Sequence, residues 1–252
     1  MHTVHFKENL YFTIKLIVTI TFYLTIIYFA SSGNLQNFYK YSPLTVYILI
    51  FMLYILIRHG VLIGYLKGNA IRVTENQFPE IFDIVNAQSK ILGLNKTPSI
   101  YILQDSGILN AFVTRFFGRD FIVIYSEILE IAYESGNKSL NFIIAHELGH
   151  IKRKHCTKNT LLFPSHIIPF LNSAYSRACE YTCDRIGYYL CPEGAISGML
   201  ILSAGRKLYS KVNVDEFIST SRKEKGFWKW FTEIISTHPN TPKRIYQFIR
   251  HQ

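Results

Sequence analysis

Four cysteines stand among 252 residues, and no two of them form a CxxC pair. That excludes the disulfide framework on which small secreted domains depend. Cys156, Cys179, Cys183 and Cys191 read instead as reduced, buried thiols, Cys179 and Cys183 lying four apart on one expected helix. Acidic residues are also scarce: 17 Asp and Glu face 27 Lys and Arg, a formal net charge of +10. The basic excess is scattered or flanks apolar runs and comes with no nucleic-acid motif, so no nucleic-acid partner is expected and anionic membrane lipid is. Internal repeats and low-complexity tracts are absent as well. The length then fits one folded domain with a real core, or two small ones.

Apolar residues make up 49% of the chain and crowd into its first 66 positions. Leu10 to Ala30 is an apolar run whose only charge is Lys15, expected to snorkel into the headgroups. A signal peptide ending near Ala30-Ser31-Ser32 is the alternative, but a typical h-region is only about 7–15 residues. Tyr41 to Ile57 is a second uncharged run, ended by Arg58 and His59. Together the two runs predict a transmembrane hairpin over residues 1–66. Lys7 and Lys15 on one side, and Arg58, Lys67 and Arg72 on the other, outnumber the single basic residue of the Ser31 to Lys40 linker. The positive-inside rule therefore puts both ends in the cytoplasm, which predicts an integral protein of the cell (inner) membrane with a cytoplasmic domain over 67–252.

From Glu75 the pattern turns soluble. Phe78, Ile81, Phe82, Val85, Ile91 and Leu92 are spaced for one helical face, with Pro79 near the start and Gly93 at the stop. Ser99 to Leu103 and Phe121 to Tyr125 read as strands, separated by a segment containing Gly107 and Gly118. A helix is expected over Ser139 to Lys154, with Lys152, Arg153 and Lys154 complementing the dipole of its last turn. Leu161 to Leu171 is apolar but too short to span, and reads as an interfacial or core segment. Another helix is expected over Ser173 to Leu190. The fold class is α+β, mainly helical, with a small sheet.

One motif carries chemistry. In His146-Glu147-Leu148-Gly149-His150 the histidines are four apart, so a helix stacks them on one face where they can grip one ion. Glu147 sits beside that ion as the natural general base for a water acidified by zinc. A catalytic zinc needs a third protein ligand. The metzincin pattern would require glycine and histidine where Arg153 and Cys156 stand, and is excluded. A glutamate from a second helix is the other solution: Glu180 and Asp184 share one helical face, Glu180 free to ligate and Asp184 to accept the outer N–H of a ligating histidine. His155 and His166, each without a partner at helical spacing, read as surface or structural residues.

HELGH, then a helix with Glu180 and Asp184, then Thr237-His238-Pro239 and Arg244, resembles the HtpX and CAAX prenyl protease family of gluzincins. The likeness extends over about Asn76 to Arg250. It implies Zn2+ held by His146, His150 and Glu180, a polypeptide substrate pairing with an edge strand at Asn110, Ala111 and Phe112, and His238 near the cleft as an oxyanion stabiliser. For His238 a helix-starting His-Pro turn is the plainer alternative. The chain departs from the HtpX pattern between His150 and Glu180, where further membrane spans are missing, and at Cys183, commonly alanine in the family. The reading that follows is a membrane-anchored zinc endopeptidase acting on membrane-associated or misfolded proteins. A non-catalytic zinc protein that binds polypeptides, and a hydrolase facing outward, stay open beside it.

Overall fold

The computed structural model describes residues 4–31, 35–104 and 110–250, with backbone alone at 29, 30, 35–45, 48 and 135. Gly107 and positions 32–34 of the expected linker lie outside the described residues. Two long helices, α1 (Phe6–Ser31) and α2 (Leu35–Asn69), lead into a short strand β1 (Ile71–Arg72) and helix α3 (Pro79–Ile91). Strands β2 (Ser99–Leu103), β3 (Ala111–Phe116) and β4 (Arg119–Tyr125) follow, then α4 (Ser126–Ser135), α5 (Lys138–Lys152) and α6 (His155–Leu161). After a 3-10 turn at Phe163–Ile167 come α7 (Leu171–Leu190), α8 (Pro192–Ala204), α9 (Val214–Lys223), α10 (Phe227–Ile235) and α11 (Thr241–Ile249).

The sheet has the order β1-β2-β4-β3, with β2 and β4 parallel and the outer pairings antiparallel. Phe116 pairs with Arg119 across a two-residue turn in which Phe117 and Gly118 both have positive φ, the geometry whose twist suits a tight hairpin. Both faces of the sheet are covered, so the alternation along β4 serves two cores. Ile122 and Ile124 face the helical core with Ile81, Val85, Ile144 and Leu148. Phe121 and Val123 face the opposite way, onto Ile63 and Leu66 of α2.

The packing of α1 and α2 corrects two expectations. Arg58 and His59 do not end the second apolar helix: α2 runs on to Asn69 because its last turns roof the sheet, with His59 Nε2 2.9 Å from Thr114 Oγ1. The division at residue 66 accordingly falls inside α2, at a leucine that is fully buried. Lys15 does not snorkel. It is fully buried, donating to the Oδ1 atoms of Asn159 (3.1 Å) and Asn172 (2.7 Å), its ammonium 4.9 Å from the Tyr175 ring centroid. Glu8, Lys15 and Thr19 form one buried stripe of α1 against α7 and the 3-10 turn. A polar stripe on a lipid-facing helix would be expensive, and packing against protein removes that penalty. Elsewhere α1 and α2 present apolar side chains outward, and Phe6–Tyr28 and Leu49–Asn69 are each long and apolar enough to cross a membrane.

Smaller departures concern helix ends. Ile91 is exposed because α3 stops there, while Ile81, Val85 and Leu92 are buried. The helix over the HELGH motif ends at Lys152, so Arg153 caps it and Lys154, at φ +55, opens α6. Leu161, Phe163, Ile167, Ile168 and Phe170 face outward, while Leu162, Ser165 and Leu171 of that segment are buried.

Candidate metal centre

The candidate site lies where α5 crosses α7. Gly149 makes the crossing close: a Cβ there would meet Cys183 Sγ at 3.2 Å and Cys183 Cα and Cβ at 3.3 Å. His146 and His150, one turn apart on α5, meet Glu180 of α7 across this contact. His146 Nε2 is 3.3 Å from His150 Nε2 and 3.3 Å from Glu180 Oε2, and His150 Nε2 is 3.4 Å from Glu180 Oε1. Tetrahedral zinc with bonds of about 2.05 Å has donor–donor edges of roughly 3.3–3.4 Å, so the two Nε2 atoms are spaced for two corners, and the Glu180 carboxylate, with one oxygen at that distance from each, can supply a third and leave one open.

Behind them, Asp184 Oδ1 lies 3.0 Å from His146 Nδ1, one turn along α7 from Glu180. Arg244 of α11 closes the cluster from the far side. Its Nε and Nη2 donate to the two Asp184 oxygens at 2.7 and 2.6 Å, and Nη2 is 3.1 Å from Glu180 Oε2. All four groups are buried. Burial opposes the charge on Glu180, but Arg244 and the two histidines outweigh it and hold the carboxyl well below its usual range. Asp184 is lowered in the same way, with Arg244 the chief counterweight to burial. Burial also opposes charge on His146, yet Asp184 and Glu180 hold its imidazole up at about 10. Arg244, one of the motif residues in the sequence, is thus the buried counter-charge of both carboxylates.

Glu147 is buried one residue on from His146. Its charge is felt toward β3: burial, then Asp120 and Glu147, push the Cys156 thiol up to about 11, and Cys156 Sγ lies 3.7 Å from Val113 O on that strand. Asn110, Ala111 and Phe112 open β3, which among the described residues pairs with β4 alone and so ends the sheet beside α5. His238 is mostly exposed, with Nε2 3.5 Å from Glu180 Oε1. The loop carrying it is tied to α7 by Arg177, whose Nη1 donates to Ile234 O (2.7 Å) and Ser236 O (2.6 Å), and by Ser173 Oγ to Ile235 O (3.0 Å). No spacing rule could have nominated Arg177, because its partners are carbonyls some 60 residues away.

His155 is buried with Nδ1 3.1 Å from His150 Nδ1, a contact its lone position in the sequence concealed. His166 pairs with Asn159 instead. Two more donor groups cluster among the described residues: His150 with His155 and Cys183, and Glu8 with His155 and Cys179. Burial drives both thiols well above their usual range, and Arg153 is already paired with Glu8.

The class these features define is a mainly helical α+β fold with a two-helix metal cradle. The chain belongs to peptidase family M48, which it matches over residues 75–168 and 163–251, in agreement with the likeness to HtpX and CAAX prenyl proteases. The chloroplastic plastoglobule-localized metallopeptidase 48 of Arabidopsis thaliana is 25% identical over 174 residues, covering 62% of this chain and 49% of that protein. The chain thus spans about half the length of that curated relative. The crystal structure of S. mikatae Ste24p shares the fold, with a TM-score of 0.51 at 14% identity over 92% of this chain and 65% of that one.

Proposed function

We propose that the chain is a membrane-anchored zinc endopeptidase. The observation that carries this reading is the convergence of His146, His150 and Glu180 at tetrahedral-edge distances, with Asp184 behind His146. These three residues would hold the ion, and zinc there supplies Lewis-acid polarisation of a peptide carbonyl and lowers the pKa of bound water to about 7.

The chain's own residues do the rest. Glu147 takes the proton that the attacking water gives up as its oxygen bonds to the carbonyl carbon, and returns it to the leaving amine as the C–N bond breaks. Asp184 fixes the tautomer of His146, and Arg244 keeps both carboxylates ionised. His238 donates to the oxyanion that develops on the carbonyl. The edge strand β3, entered at Asn110, Ala111 and Phe112, pairs with extended substrate backbone. The outward apolar surfaces of α1 and α2 support anchorage, and the basic flanks support a cytoplasmic domain in the cell membrane. Substrates at that face are membrane-associated or misfolded polypeptides.

Glu147→Gln tests this reading, because the isosteric amide removes the base and leaves the ligands. New protein N-termini are compared in cells making wild-type or variant protein, with zinc content measured in parallel. The variant should retain zinc and lose cleavage by about 10²–10⁴-fold. Undiminished cleavage would exclude Glu147 as base, and zinc-dependent polypeptide binding without cleavage by wild type would favour the non-catalytic alternative.

A further inference from the structure

We propose that Glu8, carried by the apolar helix α1, is a positioning residue of the metal centre that acts on His150 through His155; the inference rests on the metal set proposed above. Glu8 Oε1 is 3.2 Å from His155 Nε2, and His155 Nδ1 is 3.1 Å from His150 Nδ1. The remaining nitrogen of His150, Nε2, is the one that faces His146 and Glu180. Each ligating histidine is therefore backed by a carboxylate: His146 directly by Asp184, and His150 at one remove by Glu8.

Proton bookkeeping gives the chain a direction. To offer its Nε2 lone pair to an ion, neutral His150 must carry its proton on Nδ1, which then donates to His155 Nδ1. His155, accepting there, carries its own proton on Nε2, beside Glu8. An acceptor at position 8 thus selects both tautomers and holds both rings, as an outer carboxylate does for a ligand it touches directly. Glu8 is itself fixed, since Arg153 Nε and Nη2 donate to the same Oε1 at 3.0 and 2.9 Å. A carboxylate used only to dock α1 would need Arg153 and nothing more. The placement of His155 between it and His150 is what docking leaves unexplained. Glu8 also lies outside the residues 75–168 and 163–251 that match the family.

The test uses the full chain in detergent, titrated with zinc against a chromophoric chelator, with thermal midpoints recorded alongside. Glu8→Met should weaken zinc binding by about ten- to a hundred-fold, and Glu8→Gln, which keeps an acceptor oxygen, by less. His155→Phe should match Glu8→Met, and the double variant should lose no more than either single one, because both break one chain. Lys15→Met removes a docking contact of the same helix made to Asn159, Asn172 and the Tyr175 ring rather than to His155, and should lower the thermal midpoint while leaving zinc affinity within about twofold of wild type. Glu8→Met at wild-type affinity, Lys15→Met losing as much zinc affinity as Glu8→Met, or fully additive losses would each overturn the proposal. If Glu8→Met does not fold, Glu8→Gln against Lys15→Met is read by the same rule. Wild-type affinity in His146→Ala would instead sink the metal set itself, whatever the Glu8 variants do.

Discussion

Replacing Gly149 with alanine perturbs the site without touching any ligand. The added Cβ would sit 3.2–3.3 Å from three atoms of Cys183, two of them on or next to the α7 backbone. Ordinary carbon contacts are about 3.5–4.0 Å, so α5 and α7 must part by a few tenths of an ångström. Gly149 neighbours His150 and Cys183 lies three residues from Glu180, so the gap opens at the level of the three donors. Donor separations of 3.3–3.4 Å would widen to about 3.6–3.7 Å, which calls for zinc bonds near 2.2 Å where about 2.0–2.1 Å is usual. Zinc affinity should fall about tenfold, or about 1.4 kcal/mol. Global stability should fall by about 0–2 kcal/mol, because overpacking of about 1–3 kcal/mol is offset by the roughly 1 kcal/mol that alanine gains over glycine in a helix. Chelator competition and a thermal melt on the same sample separate the two effects. Gly68→Ala, which meets nothing within 4 Å, is the control. Wild-type zinc affinity in Gly149→Ala would refute the claim that this helix contact sets the donor spacing.

Arg244→Met strips the buried counter-charge from Asp184 and Glu180, and should cost about 3–5 kcal/mol of stability in metal-free protein, measured by denaturant unfolding in detergent. Arg244→Lys should recover only part, since a point charge cannot reproduce the two-pronged contact. Arg177→Met frees the loop that holds His238 and should lower kcat/KM by about tenfold or more at unchanged zinc content, read on a fluorogenic peptide; loss of zinc instead would contradict the assignment. His5 provides a pH test. Burial, with Arg185 and Lys7 adding to it, lowers its folded pKa to about 4, against about 6.5 unfolded. Its contribution is fully present above pH 6.5 and declines as pH falls toward 4, where only the unfolded chain takes the proton. Thermal midpoints over that range should drop more steeply for wild type than for His5→Phe.

That His146, His150, Glu180 and Asp184 come together could be read from the sequence because the geometry is local: two histidines on one helix and two carboxylates on another, each pair at helical spacing, need only their own helices to be aligned. The core strands were legible for the same reason, as short runs of β-branched and aromatic residues. What the sequence concealed depends on segments far apart in it. A lone lysine in an apolar run reads as lipid-facing until Asn159, Asn172 and Tyr175 are brought beside it. Arg58 and His59 look like the end of a span because charge usually is, and only the sheet beneath α2 explains why the helix goes on. The two-residue strand β1 has no periodicity to detect. His155 gives no signal, since its partners are 147 residues upstream and five residues upstream, across a helix break.

The burial of Glu8, Lys15 and Thr19, together with the roof that Ile63 and Leu66 form over the sheet, makes the apolar helices specific parts of the molecule. A chimaera given a foreign hairpin of equal length and hydropathy would keep its anchorage. It would strand Arg153 without its carboxylate, and would leave Tyr101, Leu103, Phe121 and Val123 facing a surface that never evolved to meet them. Divergence along this hairpin should therefore be lopsided, with the lipid side free to drift among apolar residues and the inner stripe tied to the helices it touches.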